Sequence, residues 1–228
     1  MNITPSQLQL VFPTAPPDRL QQVVDELQAL SAQAELDTPL RLAHFFAQVR
    51  QEAGAALAPG SENLNYSAQA LMETFPYYRQ RPDEAAQDAR GVDASGAPRA
   101  ANQQTIACKA YGMKYGNGDV ASGDGWRYRG RGFIQITFRD NYKAVSTQCL
   151  ELRPGAVLDF VADPDAVAAM PGALQSAIGF WAMHDLGRVA DRGATDGVVD
   201  LVTAVVNLHT ASYAQRRANF QMCLRAFS

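Results

Sequence analysis

At 228 residues, with a formal charge of −3 and a pI near 5.6, the chain is long enough to bury one sizeable core and lacks the basic excess of a nucleic-acid binder. Apolar residues make up 47% and charged ones 19%, the balance of an ordinary globular protein, and the acidic total argues against a membrane-binding surface. No apolar run approaches the length of about 18 residues that spans a bilayer.

The N-terminal Met1-Asn2-Ile3-Thr4-Pro5 has no basic stretch leading into an apolar one, so no secretory leader is expected. Synthesis in the cytoplasm follows, and a substrate outside the cell would require release by a holin-type lesion or a secretion machine. Thr4-Pro5 and Thr38-Pro39 each place a capping residue before a proline at the first helical position, and Asp18 after Pro16-Pro17 caps another start. Leu20, Val23, Val24, Leu27 and Leu30 recur at helical spacing, as do Leu42, Phe45, Phe46, Val49 and Ala53. Further helices are predicted from Ser67 to Thr74, Asp83 to Ala89, Gln103 to Tyr111 and Asn141 to Leu150. The C-terminal half adds Pro164 to Ala169, Ala173 to His184, Val198 to Asn207 and Tyr213 to Ala226.

Gly91 to Arg99, rich in Gly, Ala, Asp and Pro, reads as a mobile surface loop. Between about Tyr115 and Phe138 the helical signal disappears. Gly116-Asn117-Gly118 and Ser122-Gly123-Asp124-Gly125 are turn chemistry there, predicting a small hairpin or an irregular loop. With no repeat, low-complexity tract or linker, residues 1–228 read as one mainly α domain, residues 1–37 being N-terminal helices. A single-domain chain of this kind is expected to be a monomer.

Cys108, Cys149 and Cys223 are odd in number, widely spaced and without a C-x-x-C pair, which reads as three buried apolar side chains. His44, His184 and His209 lack metal-ligand spacing and read as structural, so neither metal nor cofactor is expected.

Tyr128-Arg129-Gly130-Arg131-Gly132-Phe133-Ile134-Gln135-Ile136-Thr137 carries the densest chemistry in the chain. Alternation over Ile134 to Thr137 places Gln135 and Thr137 on one face of an extended segment, a polar wall suited to hydroxyl and acetamido groups. The alternative is a Gly-rich turn leading into a short strand. Arg127, Arg129 and Arg131 are grouped as a local basic cleft would need.

Glu52 lies seven residues after Phe45 and three after Val49, bordering an apolar stripe. Half-burial among apolar groups favours the protonated form of a carboxyl, which suits a general acid; the alternative is an exposed helix-end glutamate. Glu62, ten residues on, reads by itself as a loop surface charge, and Glu73 and Glu84 as solvated helix faces.

Tyr128 to Tyr142 resembles the Y-R-G-R-G-P-I-Q-L-T-G-R-x-N-Y signature of glycoside hydrolase family 19, the chitinases and phage-type endolysins. Ala43 to Gly54 is similar to that family's A-x-F-L-A-Q-x-x-H-E-[ST]-G-G helix. Glu62-Asn63-Leu64-Asn65-Tyr66-Ser67-Ala68, followed by Thr74-Phe75-Pro76, is similar to the endolysin branch's E-N-L-N-Y-S-A…T-F-P. The blocks run in order from about Pro39 to the C-terminus, within residues 38–228.

The resemblance implies a lysozyme-like helical fold and an inverting hydrolysis, in which one carboxyl protonates the leaving oxygen and another activates water. It makes Glu52 the acid, Glu62 the base across a cleft, and Thr137 a holder of the attacking water. Gln135 and Asn141 match sugar-contacting positions, and Arg131, within the same signature, is expected to bind substrate with them. Tyr66 is placed to stack on a sugar or to anchor its loop. Asn207 matches the asparagine of the family's I-N-G-G segment, and Arg216 its A-D-R arginine, with Arg217 the alternative under a one-residue shift; the resemblance makes Asn207 and Arg216 substrate-binding residues.

There are departures. Gln51 stands where a histidine precedes the acid, Ala53-Gly54-Ala55 replaces [ST]-G-G, Leu208-His209 replaces the double glycine, and Phe133 and Phe138 replace a Pro and a Gly. Peptidoglycan is the substrate that the endolysin blocks imply, chitin the alternative within the class, and an inactive glycan- or protein-binding relative the alternative outside it.

Overall fold

The computed structural model describes residues 3–30 and 33–228; Met1, Asn2, Ser31 and Ala32, within the region expected to hold N-terminal helices, lie outside the described residues. The elements are α1 (Pro5–Val11), α2 (Pro17–Leu30), α3 (Pro39–Ala53), α4 (Ala68–Thr74), α5 (Pro82–Asp88), β1 (Gly91–Val92), β2 (Pro98–Arg99) and α6 (Gln103–Tyr111). They continue with α7 (Asp124–Arg127), α8 (Arg139–Leu152), α9 (Gly172–Met183), α10 (Leu186–Ala190), α11 (Asp196–Asn207) and α12 (Tyr213–Phe227), with 3-10 turns at Val120–Ser122 and Pro164–Ala168. The expected mainly α fold with one small β element is borne out.

The proline-led starts form for the reason their sequence suggests. Thr4 and Gln7 cap each other's backbone ahead of Pro5, and the Thr38 hydroxyl accepts from the Arg41 amide at 3.2 Å ahead of Pro39. Asp18 differs from expectation: α2 opens at Pro17, so Asp18 sits inside the first turn, where its charge complements the helix dipole. α3 ends at Gly54, whose φ of 69° is costly for residues with a side chain.

Two compact units form, Met1–Gly60 with Arg131–Gln135 and Lys143–Ser228, and Ser61–Gly130 with Ile136–Tyr142. In the first, α3 packs most extensively on α12, which also receives α1 and α11. Phe45, Phe46, Val49, Phe220 and Phe227 are buried in its core, where Phe45 meets Trp181 edge-on at 5.6 Å. Each such ring stabilises by roughly 1.5–3 kcal/mol relative to exposure. In the second unit, Leu64, Leu71, Tyr78 and Ile106 form the core. Helix α7 approaches α6 so closely that a Cβ on Gly125 would lie 2.4 Å from the Ala107 carbonyl oxygen, so only glycine fits.

Two expectations need correction, and a third is met in one of its two forms. The two-stranded antiparallel sheet lies inside Gly91–Arg99, pairing Gly91 with Arg99 and Val92 with Pro98. Its turn is ordered by the Asp93 carboxylate, which accepts from the Ser95 and Ala97 amides at 2.8 and 3.0 Å. Residues 115–138 hold α7, a 3-10 turn and irregular backbone, the second of the two forms expected there. The extended reading of Ile134 to Thr137 fails as well. Residues 132–135 turn, Gln135 takes a left-handed φ of 54°, and its amide donates back to the Gly132 carbonyl at 3.2 Å.

Cys108, Cys149 and Cys223 are free and buried, and burial pushes the Cys149 and Cys223 thiols up to about 12, which leaves them protonated and unreactive. Among the described residues no helix is long and apolar enough to cross a membrane.

Candidate active site

Glu52 emerges near the C-terminal end of α3 with 18% of its side chain exposed. Periodicity anticipates apolar neighbours, but the decisive neighbour is a cation. The buried Arg216 guanidinium, carried in on α12, donates from Nη2 to Glu52 Oε1 in a short charge-assisted bond. The same guanidinium donates from Nη1 to Gln48 Oε1 at 2.6 Å and from Nε to Ser212 Oγ at 3.0 Å. Arg216 is therefore held at all three nitrogens. Gln48 and Glu52 share a face of α3 because they are four residues apart. Gln48 is itself buried and donates from Nε2 to Thr203 Oγ1 at 3.1 Å. Arg217, the alternative under a one-residue shift, instead pairs with Asp200, its Nε donating at 2.8 Å.

This arrangement matters because an isolated buried guanidinium is prohibitive; with its acceptors it becomes a rigid donor array aimed at Glu52. Gln51, standing where the family has histidine, faces α12, its Oε1 accepting weakly from Asn219 Nδ2 at 3.4 Å.

Glu62 is organised within the second unit. Its amide donates to the Gly130 carbonyl at 2.8 Å, fixing the backbone of the loop against the glycine-rich signature. Its Oε1 accepts from the Tyr111 hydroxyl at 2.6 Å, at the end of α6. Burial, and then the Glu62 carboxylate beside it, push the Tyr111 phenol up, so Tyr111 remains a donor. Tyr66 packs edge-on against Phe75 at 5.5 Å with the ring partly exposed, and burial followed by Glu62 raises its phenol as well.

The Thr137 carbonyl accepts from Asn141 Nδ2 at 2.7 Å, so two signature residues meet at the start of α8. Asn207 ends α11 exposed. Arg131 is buried at 2% exposure and donates from Nη2 to Asp165 at 2.7 Å. Arg129 lies over the Trp126 ring at 3.7 Å and donates to the Trp126 carbonyl at 3.0 Å. Arg131, expected to bind substrate, is thus turned to Asp165, Arg129 is held by Trp126, and Arg127, the third of the expected basic group, is exposed over the Tyr128 ring at 5.5 Å. Glu84, set aside as a solvated face, is tied to Tyr77 at 3.0 Å and Lys109 at 2.7 Å.

Gln48, Ser212 and Tyr111 escaped the sequence reading. Gln48 was detectable, lying one helical turn before Glu52 within the matched block; Ser212 and Tyr111 carry no such signal. A cavity of about 530 Å³ in the first unit, lined by Cys149, Leu152, residues 153–158 and Gln175 among others, contains none of the predicted site residues. Among the described residues no cluster of three or more His, Cys, Asp or Glu side chains is placed to hold a metal ion.

No family model matches the chain. A glycosyl hydrolase family 19 domain-containing protein of Haemophilus influenzae is 42% identical over 120 residues. The family 19 resemblance is borne out. That alignment takes in 51% of this chain and 54% of the relative, so the chain spans about half the length of the curated relative it matches. Among solved structures, a crystal structure of a chitinase C mutant covers 99% of this chain and 92% of its own with a TM-score of 0.53 at 16% identity, a likeness of fold. Chitinase C from Streptomyces griseus HUT6037 is 17% identical with a TM-score of 0.49, covering 99% of this chain and 73% of its own. The lysozyme-like helical architecture implied by the family 19 motifs fits the likeness to the chitinase C mutant.

Proposed function

We propose that the protein is a family 19-type glycosidase that hydrolyses a polymer of N-acetylated hexosamines, with Glu52 as general acid, Glu62 as general base and Thr137 as a holder of the attacking water. The observation that carries the reading is the three-point clamp on Arg216, which fixes a carboxyl of the family's acid motif in one orientation. Glycosidic cleavage needs proton delivery to a leaving oxygen, and positioned acid catalysis contributes about 10²–10⁴-fold. Tyr111 gives Glu62 a fixed orientation, as a base that must meet one water molecule requires.

Peptidoglycan is the proposed substrate, supported by the Glu62-to-Ala68 and Thr74-Phe75-Pro76 blocks of endolysin type. Chitin is the second reading, supported by the fold likeness to chitinase C. The proposed site of action is the cell wall, reached after release from the cytoplasm. Mass spectrometry of fragments released from purified murein, run beside chitin oligomers, tests the choice. Disaccharide-peptide fragments from murein alone are expected. Cleavage restricted to chitin oligomers would overturn the peptidoglycan reading, and release from neither substrate would overturn the glycosidase reading in favour of a non-cleaving relative.

A further inference from the structure

Arg216 holds Glu52, and something must in turn hold Arg216. Its Nη1 meets Gln48 Oε1 at 2.6 Å, while the other end of the same amide donates to Thr203 Oγ1 at 3.1 Å. Gln48 is 2% exposed and Thr203 is fully buried, so no water competes for either group. The amide has two chemically different ends. Reversed, its NH₂ would face a guanidinium that can only donate. The guanidinium thus sets the amide with its oxygen towards Arg216, and the Thr203 hydroxyl, on α11, holds the other end by accepting from Nε2. A path of three helices, α11 to α3 to α12 and back to α3, ends on the Glu52 carboxylate. A buried polar chain satisfied at every member is rigid; broken at one member it leaves donors unpaired in low dielectric.

We infer that Gln48 and Thr203 are positioning residues for the reaction, setting through Arg216 the orientation in which Glu52 meets substrate. Neither touches substrate, and the inference rests on the glycosidase reading given above. Three properties follow. Gln48→Met keeps the volume and removes the acceptor, freeing Nη1 and lowering kcat by about tenfold with KM unchanged, since sugar contacts lie elsewhere. Gln48→Glu keeps the shape but puts a second carboxylate on Arg216 beside Glu52. Like charge disfavours ionisation, so the alkaline limb of the kcat–pH profile moves to higher pH. Thr203→Val weakens kcat in the same sense as Gln48→Met, and Thr203→Ser restores it.

The test combines these variants with the Gln48→Met/Thr203→Val double substitution and with NMR of the Arg216 guanidinium protons in each protein. Coupled action through one path predicts a double variant no slower than Gln48→Met alone, a shifted alkaline limb in Gln48→Glu, and guanidinium resonances that are resolved in the wild type and merge in Gln48→Met. Loss of thermal stability with kcat, pH profile and guanidinium signals unchanged would overturn the inference. A wild-type protein that releases no reducing ends, but whose guanidinium signals still merge on Gln48→Met and Thr203→Val, would defeat the glycosidase reading and leave the clamp standing.

Discussion

The chemistry turns on single contacts, and two of them reverse or sharpen what the sequence suggests. Read from periodicity, Glu52→Gln should hold or raise stability by relieving a carboxylate beside apolar groups. The buried Arg216 guanidinium changes the sign, because the substitution removes its only anionic partner among the described contacts. Thermal melts of Glu52→Gln should show a loss of about 1–3 kcal/mol, and an unchanged or higher Tm would deny the pair its role. Thr137→Val should cost roughly 1.5–3 kcal/mol, mostly in turnover, while Thr137→Ser should be mild. Equal rates for the two would remove Thr137 from the mechanism. For Tyr111→Phe, loss of the 2.6 Å donor to Glu62 should lower kcat about tenfold with little change in fold by circular dichroism. A rate within twofold of wild type would show that Glu62 needs no such support.

At the scale of elements, Phe138 occupies a position where the family signature has glycine, and its φ of 75° explains the family's choice. The ring is retained by Tyr111 at 5.3 Å and Tyr115 at 4.8 Å, aromatic contacts that offset the left-handed backbone. Phe138→Ala should therefore destabilise more than Phe138→Gly by about 1 kcal/mol in urea titrations, since alanine loses the ring and keeps the strain. Equal losses would mean that the backbone there is unstrained. The same contrast shows what the sequence could reveal. Helix α6 runs from Gln103 to Tyr111 as its pattern predicts, and prolines after Thr4 and Thr38 mark α1 and α3, because caps and periodicity are local. Helices α7 and α10 have four and five residues, too few for a period to show, and the strands have two each. The polar look of Gln135 hid a left-handed turn, since alternation alone cannot distinguish a strand from a turn. Arg216 and Glu52 are 164 residues apart, so only the family motifs brought Arg216 to attention beside Glu52, and nothing local revealed that Gln48 joins them.

Across the whole molecule, pH acts first through two histidines. Burial lowers His44, which stacks on Phe220 at 4.3 Å and bonds the Gly193 carbonyl at 3.0 Å, and burial lowers His184 as well. The unfolded chain takes up protons near pH 6.5 while the folded one resists, so stability falls as pH drops below about 6.5, by at most about 1.4 kcal/mol per pH unit for the buried His44, with a smaller part from His184, which is exposed and screened by solvent. Asp191 and Asp200, held low by bonds to Arg41 and Arg217, add a further loss only at more acidic pH. Urea denaturation at pH 7.5 and 5.5 should show the drop, reduced in a His44→Gln variant; a flat response would contradict a buried, neutral His44. The central claim is that this fold delivers a proton from Glu52 to a glycosidic oxygen. Its most direct test is reducing-end release from murein and from chitin oligomers by wild-type protein and Glu52→Gln side by side, at a temperature where both are folded. The account predicts release by the wild type and a fall of at least about 100-fold in the variant, with glycan binding retained; a variant that cleaves at a rate near that of the wild type would contradict it.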